Sequence, residues 1–189
     1  MAKNLNDRIS TAVWSPLEYT LFGLITDNLG EDVTVRVSSP YVRDISNKQF
    51  RPQGVLGGVL STVERRRLSS LSDFLILLAK RGANVGLMTA PTGSTRFGKT
   101  NEEYNRAELE LLEKLAGGGV EVRMHHGSHS KFVTSPVAEV LLTANLTNRA
   151  MFWQIEQATY TPSKDPGFEQ ARTSNNDMWE QGELWGGGQ

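Results

Sequence analysis

At 189 residues and 20.9 kDa the chain is long enough for one compact domain with a real core and too short for two ordinary domains side by side, so residues 1–189 are read as one unit. With 38% hydrophobic and 22% charged residues, 18 Gly and 7 Pro, the composition is that of a folded globular protein and excludes disordered, collagenous and coiled-coil chains. Twenty Lys and Arg against 21 Asp and Glu leave a net charge of -1, so any polyanion must be met by a local cationic patch, and the absence of Cys removes disulfide frameworks, thiolate metal sites and Cys nucleophiles.

The opening MAKNLNDRISTAVW carries no apolar stretch after its charges, and no apolar run approaches the ~20 residues of a membrane span, which points to a cytoplasmic protein. Leu17, Leu21, Leu24, Ile25 and Leu29 share one stripe of a predicted helix that Gly30 stops. The β-branched alternation of 32–39 predicts a strand ending in Ser38, Ser39, Pro40 and Tyr41. Residues 44–58 read as a loop and 59–67 as a short helix ending in three arginines. A helix runs from Ser72, the candidate N-cap, to the stop at Gly82, with Phe74, Leu75, Leu77 and Leu78 facing the core.

A strand over 83–90, a cationic loop over 91–100, a helix over 102–115 and a strand over 120–124 continue the alternation. Short strands are then expected at 131–134, 139–144 and 154–161, most simply as antiparallel or mixed additions to the same sheet. A polar tail from Lys164 predicts a last helix docking through Phe168, Met178, Trp179 and Trp185, with 186–189 as a disordered end. The order predicts an α/β fold, a mixed, largely parallel central sheet flanked by helices.

All three histidines, His125, His126 and His129, fall at the end of one predicted strand. A solvated loop and an adventitious metal site are the alternatives; zinc would want further ligands at fixed geometry, and no Cys supplies them. A third reading joins His129 to the residues after it. His129 and Lys131 stand two apart at the start of a strand, so an imidazole and an ammonium leave on the same face. The next strand runs into TANLTNR, presenting Thr143, Asn145 and Arg149 at a turn, and Glu156 lies alone in the apolar-leaning WQIEQATY, where a carboxylate wants a cationic or N–H partner.

His129-x-Lys131, Asn145 within TANLT, and Glu156 resemble the HKD motif of the phospholipase D superfamily, with the spacings from Lys131 to Asn145 and on to Glu156 matching without a gap. The strand ending in SSPY, the LLAKRGANVGLMT unit and the helix before GGGVEVRMHH resemble that superfamily's scaffold, so the likeness covers most of the chain. Two positions depart from the pattern: Pro136 stands where the motif has Asp, and Leu142-Thr143 where it has Gly-Ser. The Asp looks structural in the superfamily, and its restriction-endonuclease branch manages without it.

The resemblance implies His129, Lys131, Asn145 and Glu156 as catalytic residues, with no metal or cofactor. The chain has one HxK where two-motif members have two, and it is similar to the Nuc-type nucleases and phospholipase D fold restriction endonucleases, which implies a homodimer completing the site across a two-fold axis. One imidazole would attack phosphorus while its symmetry mate protonates the leaving oxygen, and Lys131 and Asn145 would hold the phosphoryl oxygens. Glu156 would accept a hydrogen bond from the far ring nitrogen of His129.

Thr143, Ser39, Arg96, Lys99 and Arg149 are the candidate substrate-binding residues. Loop cations, among them Arg43, Lys48, Arg51 and Arg65–Arg67, favour nucleic acid as partner, DNA ahead of RNA, with specificity left to loops or to a partner protein. The alternatives are a lipid phosphodiesterase using the same site, for which no amphipathic membrane anchor is evident, and a catalytically decayed nucleic-acid-binding subunit, motivated by Pro136 and Leu142.

Overall fold

The β-branched run after Asp32 forms β1, Thr34–Ser38, with Val35 and Val37 in the core. The computed structural model describes residues 33–45, 68, 70–91, 102–147, 150 and 156–187. Next comes α1, Leu71–Lys80, which buries Leu71, Phe74, Leu75 and Leu78. Its N-cap is Ser70, whose hydroxyl accepts the Asp73 N–H; Ser72, the expected cap, lies inside the first turn and donates to Asp44 Oδ2 at 2.7 Å. Gly82, at φ +95°, closes the helix: its N–H bonds Ala79 O and the Ala83 N–H reaches back to Leu78 O.

Strand β2, Asn84–Thr89, helix α2, Glu102–Gly117, and strand β3, Glu121–Met124, complete two parallel crossovers. Lys114 near the end of α2 joins the start of α1 to the segment after β1. It pairs with Asp73 at 2.7 Å and Asp44 at 3.2 Å and donates to Ser72 at 2.7 Å. Burial alone would lower this ammonium, but the two carboxylates outweigh it and hold Lys114 above the ordinary lysine value.

Past β3 the strand direction reverses. Strand β4, Phe132–Thr134, pairs antiparallel with β1; β5, Ala138–Leu142, with β4; and β6, Ala158–Pro162, with β5. Helix α3, Phe168–Glu180, leads into a two-residue strand, β7, Glu183–Leu184, antiparallel to β3. The sheet order is β6-β5-β4-β1-β2-β3-β7. The expectation of a largely parallel sheet is therefore corrected: only β1–β2 and β2–β3, joined by the crossover helices α1 and α2, run parallel, and β4, β5, β6 and β7 are all added antiparallel to their neighbours, β4 and β5 through a short return.

The expected strands 139–144 and 154–161 appear as Ala138–Leu142 and Ala158–Pro162. The helices expected at 16–29 and 59–67 lie outside the described residues, as do most of the loops 44–58 and 91–100. No helix among the described residues is long and apolar enough to cross a membrane.

Helices α1 and α2 cover one face of the sheet and α3 the other. On the α3 face Phe168, Asn175 and Trp179, spaced seven and four apart, form its buried stripe. Trp179 lies on the backbone of Gly86 in β2, flanked by the guanidinium of Arg36 from β1 at 5.2 Å and that of Arg123 from β3 at 5.0 Å from the ring centroid. Arg36 also donates to Asn176 at 2.7 Å, and both arginines pair with Glu180 at 3.3 Å.

One turn before Trp179 in α3, Asn175 donates to Glu139 Oε2 at 2.7 Å and Thr134 donates to the same oxygen at 2.8 Å, while Oε1 is buried without a partner. Glu139 is only 1% exposed. Burial pushes its carboxyl above the ordinary carboxylate range, against the opposing pull of Asn175, Thr134 and the Arg172 charge.

A Cβ at residue 86 would collide with the Trp179 ring, so Gly86→Ala should lower the unfolding free energy by about 1–3 kcal/mol in urea titration monitored by tryptophan fluorescence. The raised folded-state pKa of Glu139 means that its contribution to stability is full at pH values below the ordinary carboxylate range and is lost as pH rises through the folded value. Glu139→Gln retains an acceptor for Thr134 and Asn175 but cannot ionise. Between about pH 5 and pH 8 the wild-type urea midpoint should therefore fall relative to that of the variant; parallel pH profiles for the two proteins would contradict this.

Candidate active site

The reversal of strand direction brings three separate chain segments to one rim of the sheet. Ser38 at the end of β1 is paired in register with Phe132 at the start of β4, so the carboxyl end of the parallel unit and the His129–Lys131 segment lie together. Ser38 Oγ donates to Ser130 O at 3.2 Å and fastens that segment to β1. On the other side Leu142 N–H donates to Lys131 O at 2.9 Å, and Thr143 N–H donates to Gln157 O at 3.0 Å. His129, Lys131, Thr143 and Glu156 thus meet along consecutive strand ends.

His129 is exposed and Lys131 half-buried. Both precede β4 rather than lying within it, yet their side chains do converge: Lys131 Nζ stands 3.3 Å from His129 Nδ1 and donates to His129 O at 2.8 Å. Burial lowers the Lys131 ammonium below the ordinary lysine value, and the negative charge of Glu156 draws it partly back.

Glu156 lies just ahead of β6 rather than inside a strand. Its Oε2 accepts the Thr143 hydroxyl at 2.5 Å, and Thr143 Oγ1 accepts the Gln157 N–H at 2.8 Å. The hydrogen bond expected from His129 to Glu156 is not the one found in this chain. Between β4 and β6 stands β5, and Thr143, the residue after it, is the donor that reaches the carboxylate.

Asn145 occupies the turn after β5. The turn is knit to the segment after β1 by the Val42–Leu146 bridge and by Arg43 N–H donating to Leu146 O at 2.9 Å. The Asn145 amide is half-buried, and its Oδ1 is buried without a partner. Ser39, expected as a substrate contact, is 0% exposed; its hydroxyl accepts the Leu146 N–H at 3.0 Å and donates to Tyr41 O at 2.7 Å. It shapes the Asn145 turn from beneath, because the chain bends inward at Pro40 instead of leaving the rim. Arg96, Lys99 and Arg149 lie outside the described residues.

Two site residues, Ser38 and Ser130, are missed by sequence reasoning. The available signal is the SSPY strand end beside HSK, but their pairing depends on β4 lying next to β1. Pro136 sits at the β4–β5 turn, where Ser135 Oγ donates to Ala138 O at 2.8 Å and accepts the Ala138 N–H at 3.1 Å. That turn is at the end of β4 opposite the rim. Among the described residues no group of His, Asp and Glu is arranged to hold a metal ion.

The sequence matches no protein-family model and no curated protein. Solved structures do match. Nuc from Salmonella typhimurium, a phospholipase D family member, aligns over 87% of this chain and 88% of its own, with TM-score 0.52 and 16% identity. NucT from Helicobacter pylori aligns over 91% and 92%, with TM-score 0.53 and 12% identity. The chain has the phospholipase D fold. Phosphatidylserine synthase from Haemophilus influenzae Rd KW20 shares it at TM-score 0.53 and 14% identity, over 89% of this chain and 37% of that protein. Within this phospholipase D fold, Ser39 carries the turn that holds Asn145. Ser39→Ala would strand the buried Leu146 N–H and should reduce stability by about 1–3 kcal/mol in denaturant titration, far more than an exposed serine would.

Proposed function

We propose that the protein is a metal-independent phosphodiesterase, an endonuclease cutting DNA ahead of RNA through a phosphohistidine intermediate in a homodimer. One observation carries the reading: His129, Lys131, Thr143, Asn145 and Glu156, remote in sequence, line one rim of a phospholipase D fold. An exposed imidazole beside an ammonium, with an amide on the adjoining turn, has the parts that phosphodiester cleavage needs: a nucleophile, positive charge for the non-bridging oxygens and a neutral donor.

In this mechanism a neutral His129 attacks phosphorus, the N–P bond forms, and the P–O bond to the leaving alkoxide breaks. The partner's His129, protonated, gives its proton to that alkoxide and becomes the base for the next step. Water then attacks the phosphohistidine, loses its proton to the partner's imidazole, and releases a phosphomonoester while the first imidazole is regenerated. Lys131 and the Asn145 amide hold the equatorial oxygens throughout.

Of the three imidazoles along the rim only His129 stands beside Lys131, whereas His125 and His126 follow β3, three strands away from β4, so a second imidazole comes to this phosphate from a second copy facing the first. Of the two departures from the motif, Pro136 lies away from the rim where no reacting group is placed, which supports activity over decay, and Leu142-Thr143 at the rim keeps a hydroxyl in the pair. Arg96, Lys99 and Arg149 are proposed as further backbone-phosphate contacts, and a partner protein as the source of any sequence preference.

Purified protein should cleave single- or double-stranded DNA in excess EDTA. His129→Ala should reduce the rate by at least about a thousandfold while leaving the circular dichroism spectrum and the sedimentation of the dimer unchanged. Undiminished cleavage by that variant, or turnover of phosphatidylcholine with none of DNA, would overturn the proposal.

A further inference from the structure

Thr143 is an unusual rim residue, because four hydrogen-bond contacts and one charge converge on it, the longest of them from its hydroxyl to Gln157 O at 3.3 Å. Its N–H is committed to Gln157 O at 3.0 Å, its Oγ1 accepts the Gln157 N–H at 2.8 Å, and its own hydroxyl proton goes to Glu156 Oε2 at 2.5 Å. With its proton given to a carboxylate and one lone pair occupied by an amide, the hydroxyl is not a free donor to a substrate oxygen. The expectation that it would bind phosphate directly is replaced by a different relation.

Glu156 and Lys131 lie on either side of Thr143, and an unrestrained carboxylate there would be expected to close on the ammonium. It does not: among the described residues no ion pair involves Lys131, whose Nζ bonds His129 O and faces His129 Nδ1. We infer that Thr143 is a positioning residue which holds the Glu156 carboxylate off Lys131 and so keeps the ammonium available to an incoming phosphate. The Glu156 charge still acts on Lys131 through space, favouring the protonated amine against the burial that lowers it. A direct pair would favour it further, but would put a carboxylate where the phosphate oxygens must go. Only the identity of the anion rests on the proposed phosphodiesterase activity; the restraint on Glu156 is a property of the free protein.

The test uses the full chain with 13C-labelled lysine ε-methylenes to follow the Lys131 titration by NMR, assigned with Lys131→Arg. Thr143→Val removes the hydroxyl at similar volume, and Glu156 should then close on Lys131, raising its titration midpoint by about one pH unit. Thr143→Ala should give the same shift and Thr143→Ser none. Combining Thr143→Val with Glu156→Gln should bring the midpoint below that of the wild type.

In parallel, the affinity for a short single-stranded DNA oligonucleotide at fixed salt should fall on the order of tenfold in Thr143→Val and remain in Thr143→Ser. An unchanged Lys131 midpoint in both Thr143→Val and Thr143→Ala would overturn the inference. Failure of the wild type to bind the oligonucleotide would count against the nuclease reading, while the titration would still decide the role of Thr143.

Discussion

Because β4 runs antiparallel to β1, its first residue meets the last residue of β1, and the whole candidate site depends on that meeting. The parallel strands β1, β2 and β3 end at one rim, as strands joined by crossover helices must. Without the reversal, the residues before β4 would start from the opposite edge. With it, the His129–Lys131 segment begins at the rim, β5 returns to the rim at Leu142, and the chain comes back through Glu156 and Gln157 to start β6 there. Main-chain hydrogen bonds from Leu142 and Thr143 carry this alignment from strand to strand, so side chains up to 27 residues apart in sequence, His129 and Glu156, are set by backbone geometry.

The face of the sheet away from α1 and α2 is held by α3. Trp179 rests on a glycine and is gripped on either side by arginines from the two neighbouring strands, so one ring spans the parallel unit. Glu139 and Asn175 join the same helix to the antiparallel half. Helix α3 therefore braces both halves of the sheet, one through a stacked aromatic and the other through a buried carboxyl whose protonation state sets the quality of the contact.

Much of this is legible in the sequence where the deciding forces are local. The alternation of Val35 and Val37, the leucine stripe of α1 and the stop at Gly82 each reflect a few neighbouring residues, and they form the elements expected of them. The four rim positions are legible through spacing, helped by the resemblance to a known motif. What is not legible depends on long-range placement. Nothing near Glu156 reveals that Thr143, rather than His129, will receive its carboxylate, because that depends on β5 lying between β4 and β6. Glu139 reads as an ordinary alternating strand residue until α3 covers it, and β7 is too short to carry any periodicity. Ser39 is recognisable as lying at the right place, but its inward turn depends on the Asn145 loop it supports.

The β4–β5 turn has a consequence for how such chains diverge. The two ends of this hairpin answer to different demands: Ser135, Pro136 and Ala138 need only close a tight reversal, whereas Lys131 and Thr143 at the other end hold charged groups in place. Substitutions at the tip can accumulate under the rules of turn stability alone, without penalty at the chemistry. A lineage could thus wear away half of a recognisable signature and keep its reacting groups intact, and divergence at residue 136 is a poor clock for the fate of residue 129.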